Sequence, residues 1–199
     1  MKLATDLISA VNNHQGISKA NKFVLKNLSL PRKLNEKHKD HLRDLNYFCD
    51  TTFFPGRNMA TVEYRTGSVS ESFIHSNNFA ETVTLTFNLT NDLFIRKIFD
   101  DWQEFIMPLT NKQKKVRTNI MKYPDQYRGE FELVKLNSEL NEKKTTYDVS
   151  TGGVSTTEGY SVKMLDAFPK QVDAMNVSYA SPDALKLTVQ MAFSRWIMN

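Results

Sequence analysis

The sequence is short of the residues that most chemistry needs. Cys49 is the single cysteine in 199 residues, which excludes an intrachain disulfide and any zinc cluster built on cysteines. It stands between Phe48 and Asp50 with no glycine-rich or histidine motif beside it, so it reads as a buried structural thiol. The chain has no phosphate-binding glycine loop, no serine nucleophile elbow and no zinc-helix motif. Its nearest glycine cluster, Gly152-Gly153, sits in a polar stretch and reads as a turn. No apolar run approaches the roughly 18 residues of a membrane span. MKLATDLISAVNNHQG has only a broken apolar stretch and no small-residue cleavage site, so no signal peptide is expected.

An excess of one charge is also lacking. Lys and Arg number 26 against 22 Asp and Glu, a formal charge of +4 that is modest for a dedicated DNA binder. Much of the positive charge falls in PRKLNEKHKDHLRD (31–44) and KQKKVR (112–117), both of which read as solvated faces. His38 and His41 are three apart on an expected helix, but no third ligand lies near, so metal binding is not expected. Asp100 and Asp101 are helix neighbours whose side chains point in different directions, so they cannot share an acid–base site alone and read as the wet face. No catalytic, metal or cofactor residue can be assigned, and the sequence argues against an enzyme.

What the chain does have is amphipathic periodicity. Its composition, 40% apolar and 24% charged, suits one domain large enough to bury a core. Residues 1–14 predict a short amphipathic helix with Leu3, Leu7, Ile8 and Val11 on one side. KFVLKNLSL (22–30) predicts a strand closed by Pro31. Residues 33–45 predict a charged helix anchored by Leu34, Leu42 and Leu45, and LNYFCDTTFFP (45–55) is β-prone. TVTLTFNLTNDLFIRKIFDDWQEFIM (82–107) changes period from two to 3.6, so a strand with one wet face runs into a helix that Thr90 or Asn91 could cap. GEFELVKL (129–136), GYSVKML (159–165) and ALKLTVQMAF (184–193) complete a set of about seven or eight strands. The fold class expected is mainly β with a flanking helix (α+β), an antiparallel β-sandwich or partly closed barrel.

ATVEYRTGSVSESFI predicts a hairpin. With Thr66-Gly67 as a two-residue turn, Arg65 faces Ser68, Glu63 faces Ser70 and Thr61 faces Ser72. Those six side chains share a wholly polar face, while Ala60, Val62, Tyr64, Val69, Glu71 and Phe73 form a mostly apolar one. A sheet that reads single-stranded nucleic acid exposes aromatics beside Lys and Arg. Here the aromatics lie on the dry faces, and nothing grips DNA.

The order of these parts resembles the inner-tube proteins of contractile phage tails. The early strand around Asn21-Lys22-Phe23, FCDTTFFPG, the polar-faced hairpin and the strand entering FDDWQEF carry the resemblance, followed by AFPKQVDAMNVSYAS, an aromatic-Pro turn, and LKLTVQMAFSRW. It covers about residues 20–30 and 45–197, within one tail-tube-like domain of residues 1–199. The short helix at about 1–15 and the charged segment at about 32–45 stand as additions. The resemblance implies hexameric rings that stack into a tube, with a tail sheath and baseplate or tail-terminator proteins as partners. DNA would pass through the lumen without specific binding, and no membrane or cofactor is implied. The place implied is the virion tail, assembled in the host cytoplasm. A baseplate tube initiator or adaptor, forming one terminal ring, is the alternative. Thr61, Glu63, Arg65, Ser68, Ser70 and Ser72 would face the lumen. Phe53, Phe54, Trp102 and Trp196 are the expected core or interface anchors, with Trp102 beneath the helix.

Overall fold

A computed structural model describes residues 8–9, 11, 18, 20–79, 82–108, 110–111, 116–117, 120–136, 146–148, 153–155, 158–175, 177 and 184–198. Most of the expected N-terminal helix and the lysines of 112–117 lie outside the described residues. The elements run β1 (Phe23–Ser29), α1 (Arg32–Leu45), a 3-10 turn (Asn46–Phe48), β2 (Cys49–Thr52), β3 (Arg57–Thr66), β4 (Val69–Phe79) and β5 (Thr82–Asn88). Then follow α2 (Phe94–Ile106), β6 (Thr110–Asn111), β7 (Val116–Arg117), α3 (Pro124–Tyr127) and β8 (Gly129–Leu136). The last are β9 (Thr146–Asp148), β10 (Gly153–Ser155), β11 (Glu158–Val172), β12 (Lys186–Ala192) and β13 (Arg195–Met198).

The main sheet is antiparallel, in the order β1-β8-β11-β12-β5-β2, with β13 also on β11. The joint is β11. Its first half pairs with β8 and β13, and its second half pairs with β12, so the strand belongs to two layers. The register breaks between Met164 and Ala167, where Asp166 takes a left-handed φ of 59°. Ser194 holds this corner: its backbone N–H donates to the Leu165 carbonyl at 3.1 Å and its hydroxyl to Asp166 Oδ2 at 2.6 Å. Strands that pass between packed sheets do so at such bulges.

AFPKQ is therefore not the turn that the resemblance implied. Phe168, Pro169 and Gln171 are paired in β11, and Pro169, which has no N–H to donate, sits beside a second register shift. The expected fold class, mainly β and antiparallel with flanking helices, is the one observed, and the sheet is not closed into a barrel. Its end strands β1 and β2 form no ladder with each other, and the chain between them forms α1 and the 3-10 turn.

Alternation places the core. Val83, Leu85 and Phe87 of β5 and Leu187, Val189 and Met191 of β12 are buried, while the threonines between them are half-exposed. Helix α2 buries Phe94, Ile95, Ile98, Phe99 and Trp102, a stripe at three- and four-residue spacing that lies on the same core. Phe99 meets Phe87 of β5 with ring centroids 5.6 Å apart. The helix begins at Phe94, after Leu93 in the left-handed region (φ 53°), and has no side-chain cap. Thr90, expected as a cap, instead donates its hydroxyl to Asp92 Oδ1.

Candidate assembly surface

The β3–β4 hairpin is separate from the main sheet, and among the described residues its strands form ladders only with each other. Its turn is Gly67-Ser68, one residue beyond the expected Thr66-Gly67, because Thr66 still pairs with Val69. Gly67 carries the positive φ of 66° that a tight hairpin turn requires and that a Cβ would oppose. The register follows: Arg65 faces Ser70, Glu63 faces Ser72 and Thr61 faces Ile74. This is two residues from the expected register, and a two-residue shift leaves every side chain on its own face. Ser68 leaves the strand for the turn, and Ile74 joins the otherwise polar face.

The face expected to be dry is not covered. Val62, Tyr64, Val69 and Phe73 are 51%, 65%, 59% and 55% exposed. Both faces of the hairpin thus meet solvent in the protomer, along with Ile74 and Met59. A soluble chain holds so apolar a ribbon in place by covering it.

The expected anchors fall in different environments. Trp102 is fully buried, and its Nε1 donates to the Tyr127 carbonyl at 2.8 Å. Phe53 is 53% exposed beyond β2, whereas Phe54 is half-buried with its ring 5.6 Å from that of Tyr160. Trp196, half-buried on β13, directs Nε1 to the Gly56 carbonyl at 3.4 Å, which ties the last strand to the base of the hairpin. Cys49 is partly covered, and burial, with Asp50 beside it, pushes its thiol up to about 12. It is held as the neutral, unreactive form.

One polar cluster escaped the sequence reading. His38 is buried on the α1 stripe with Leu34 and Leu45, and its Nε2 lies 2.9 Å from Asp101 Oδ2 on α2. Lys37 Nζ donates to the same oxygen at 2.5 Å. Asp101 is therefore a clamp between two helices rather than part of a wet face, while Asp100 remains outside and pairs with Arg96 at 2.8 Å. Burial alone would raise the Asp101 carboxyl, but the hydrogen bonds and charges of Lys37 and His38 outweigh it and hold it below the usual value. The signal was present in the spacing: 34, 38, 42 and 45 form one helical stripe, and His38 is its only polar member.

Among the described residues no three His, Cys, Asp or Glu side chains converge to hold a metal ion, and no helix is long and apolar enough to cross a membrane.

Comparison with known proteins agrees with this arrangement. The family described as "Phage tail tube protein" matches residues 16–199. No curated protein matches the sequence. A chain of the extracellular contractile injection system PVC sheath–tube complex, in the extended state, aligns over 92% of this chain and 91% of its own, with 13% identity and a TM-score of 0.52. A chain of the anti-feeding prophage baseplate aligns over 92% and 95%, with 11% identity and a TM-score of 0.55. One from the tube-terminating cap of the anti-feeding prophage aligns over 93% and 92%, with 12% identity and a TM-score of 0.55. At these identities the likeness is one of fold.

Proposed function

Because the chain belongs to the phage tail tube protein family, we propose that six copies close into a ring and that the rings stack into the inner tube of a contractile tail, the conduit for genome ejection. The observation that carries this reading is the β3–β4 hairpin, apolar on one face and uncovered on both. A second copy supplies the missing cover. Among the described residues the end strands β1 and β2 have edges without a strand partner; such edges in a free protein invite uncontrolled pairing and in a ring are satisfied by neighbours. A tail sheath and baseplate or terminator proteins are the further partners of such a tube. The role is structural rather than enzymatic, in the virion tail after assembly in the host cytoplasm.

The polar face of the hairpin suits a channel wall. Glu63 and Arg65 offset each other, and Ser70, Ser72 and Thr61 offer hydroxyls but no cluster of cations for phosphate. DNA then slides past without specific binding.

Negative-stain electron microscopy of the purified protein across a range of concentrations tests the reading. Long hollow tubes of stacked rings are expected. Isolated rings would shift the assignment to a baseplate initiator or adaptor, and a protein that stays monomeric at every concentration would overturn self-assembly.

A further inference from the structure

We propose that the apolar face of the β3–β4 hairpin seats in a groove at the C-terminal end of α2 on a neighbouring copy, an inference that rests on the ring-forming reading. The groove, about 660 Å³, has an apolar floor of Ile106, Met107, Met121, Phe168 and Pro169. Met107 and Met121 are 45% and 62% exposed, and Ile120 and Tyr123 beside Met121 are also solvent-facing. Methionine adapts its shape to an incoming surface better than a branched side chain does. The floor is therefore suited to receiving side chains from outside the protomer.

The hairpin and the groove complement each other in three respects. One projects and the other is concave. Both carry large apolar side chains without cover: Val62, Tyr64, Val69 and Phe73 on the hairpin, Met107 and Met121 in the groove. Their charges also match. The groove bears Asp100 and Glu104 along the α2 side and Lys170 on the β11 side. The hairpin bears Arg65 near its tip and Glu71 within the apolar face, opposite Tyr64. Seating Glu71 against Lys170 leaves Arg65 on the opposite, polar face, so this one charge pair selects the orientation while apolar burial supplies the attraction.

Hairpin and groove are different patches of one chain, so the contact is heterologous. Each copy gives a hairpin to one neighbour and receives one from another. Such a contact closes into a ring or continues as a filament, according to its rotation.

Cysteine crosslinking tests the pairing, and Cys49 adds little background because its thiol is partly covered and held neutral. Tyr64→Cys on one copy and Met107→Cys on another, mixed and oxidised, are expected to give a covalent dimer. The double variant is expected to give a ladder of multimers. Tyr47→Cys, an exposed site away from both patches, controls for random collision. Rings or tubes that form normally yet link no better than this control would overturn the docking and leave the ring reading intact. A protein that neither assembles nor links would overturn both. A charge exchange gives an independent readout: Lys170→Glu is expected to raise the concentration needed for assembly by about tenfold, and adding Glu71→Lys to restore it. No recovery in the exchanged pair, with both variants folded, would overturn the orientation proposed.

Discussion

At the scale of single residues, Trp102 shows how a buried aromatic positions its surroundings. Its indole N–H is satisfied by the Tyr127 carbonyl, so the ring enters the core without leaving a donor unpaired. Gly129, where β8 begins, makes the approach feasible. A Cβ there would lie 2.1 Å from the Ser29 carbonyl oxygen and 3.1 Å from two carbons of the indole. Trp102→Ala is expected to cost about 3–5 kcal/mol, read as a lower urea midpoint with an unchanged slope. A midpoint at the wild-type value would mean that α2 does not cover the core as described. Asp101 makes a different prediction, about pH. Its carboxyl is held below the ordinary value of 3.8 by Lys37 and His38, so its stabilising effect is complete above that value and is lost as the pH falls through the folded-state pKa. Asp101→Asn is therefore expected to flatten the acid limb of the stability curve. Equal slopes for the two proteins below about pH 4 would remove the clamp from the account.

At the scale of elements, the hairpin and the corner of β11 behave in opposite ways. The corner is fixed within the protomer by Ser194, Asp166 and the pairing of β12 and β13 on either side of it. The hairpin is built on its own ladder, with the hydrogen bond from Trp196 to Gly56 at its base. A two-stranded ribbon is marginal in water, so cover by a neighbouring copy, as proposed, would also order it. Thr61→Lys with Ser70→Lys probes the polar face directly. Assembly is expected to persist while genome passage slows, because added cations on a channel wall attract phosphate. Loss of rings in that variant would move the polar face from the lumen to a subunit contact.

For the whole molecule, the open sheet decides what one copy can do alone. A barrel closed within the protomer would leave no strand edges to share. Here β1 and β2 form no ladder with each other, and among the described residues their outer edges have no strand partner. The charged 32–45 segment is not merely appended. Leu34 and Leu45 enter the common core, and His38 reaches Asp101, so its charged outer face is presented from a fixed platform.

The order of residues alone sets the local periods. Thr82–Asn88 had to be a strand with one dry face, and Phe94–Trp102 a helix with one dry stripe, because the apolar spacing permits no other burial. The faces of the hairpin were legible for the same reason, and they survived an error of two residues in the register. The family was legible in the order of weak motifs. The bend of β11 through Pro169 was not, because local signals mark Phe168-Pro169 as a break, and only pairing with Met191 and Ala192 keeps the strand going. The Asp101 clamp joins residues 63 positions apart, and no local pattern could pair them. Whether an apolar face is covered was also decided in three dimensions. Alternation says which side chains share a face, and only the packing of the other elements says whether anything lies against it.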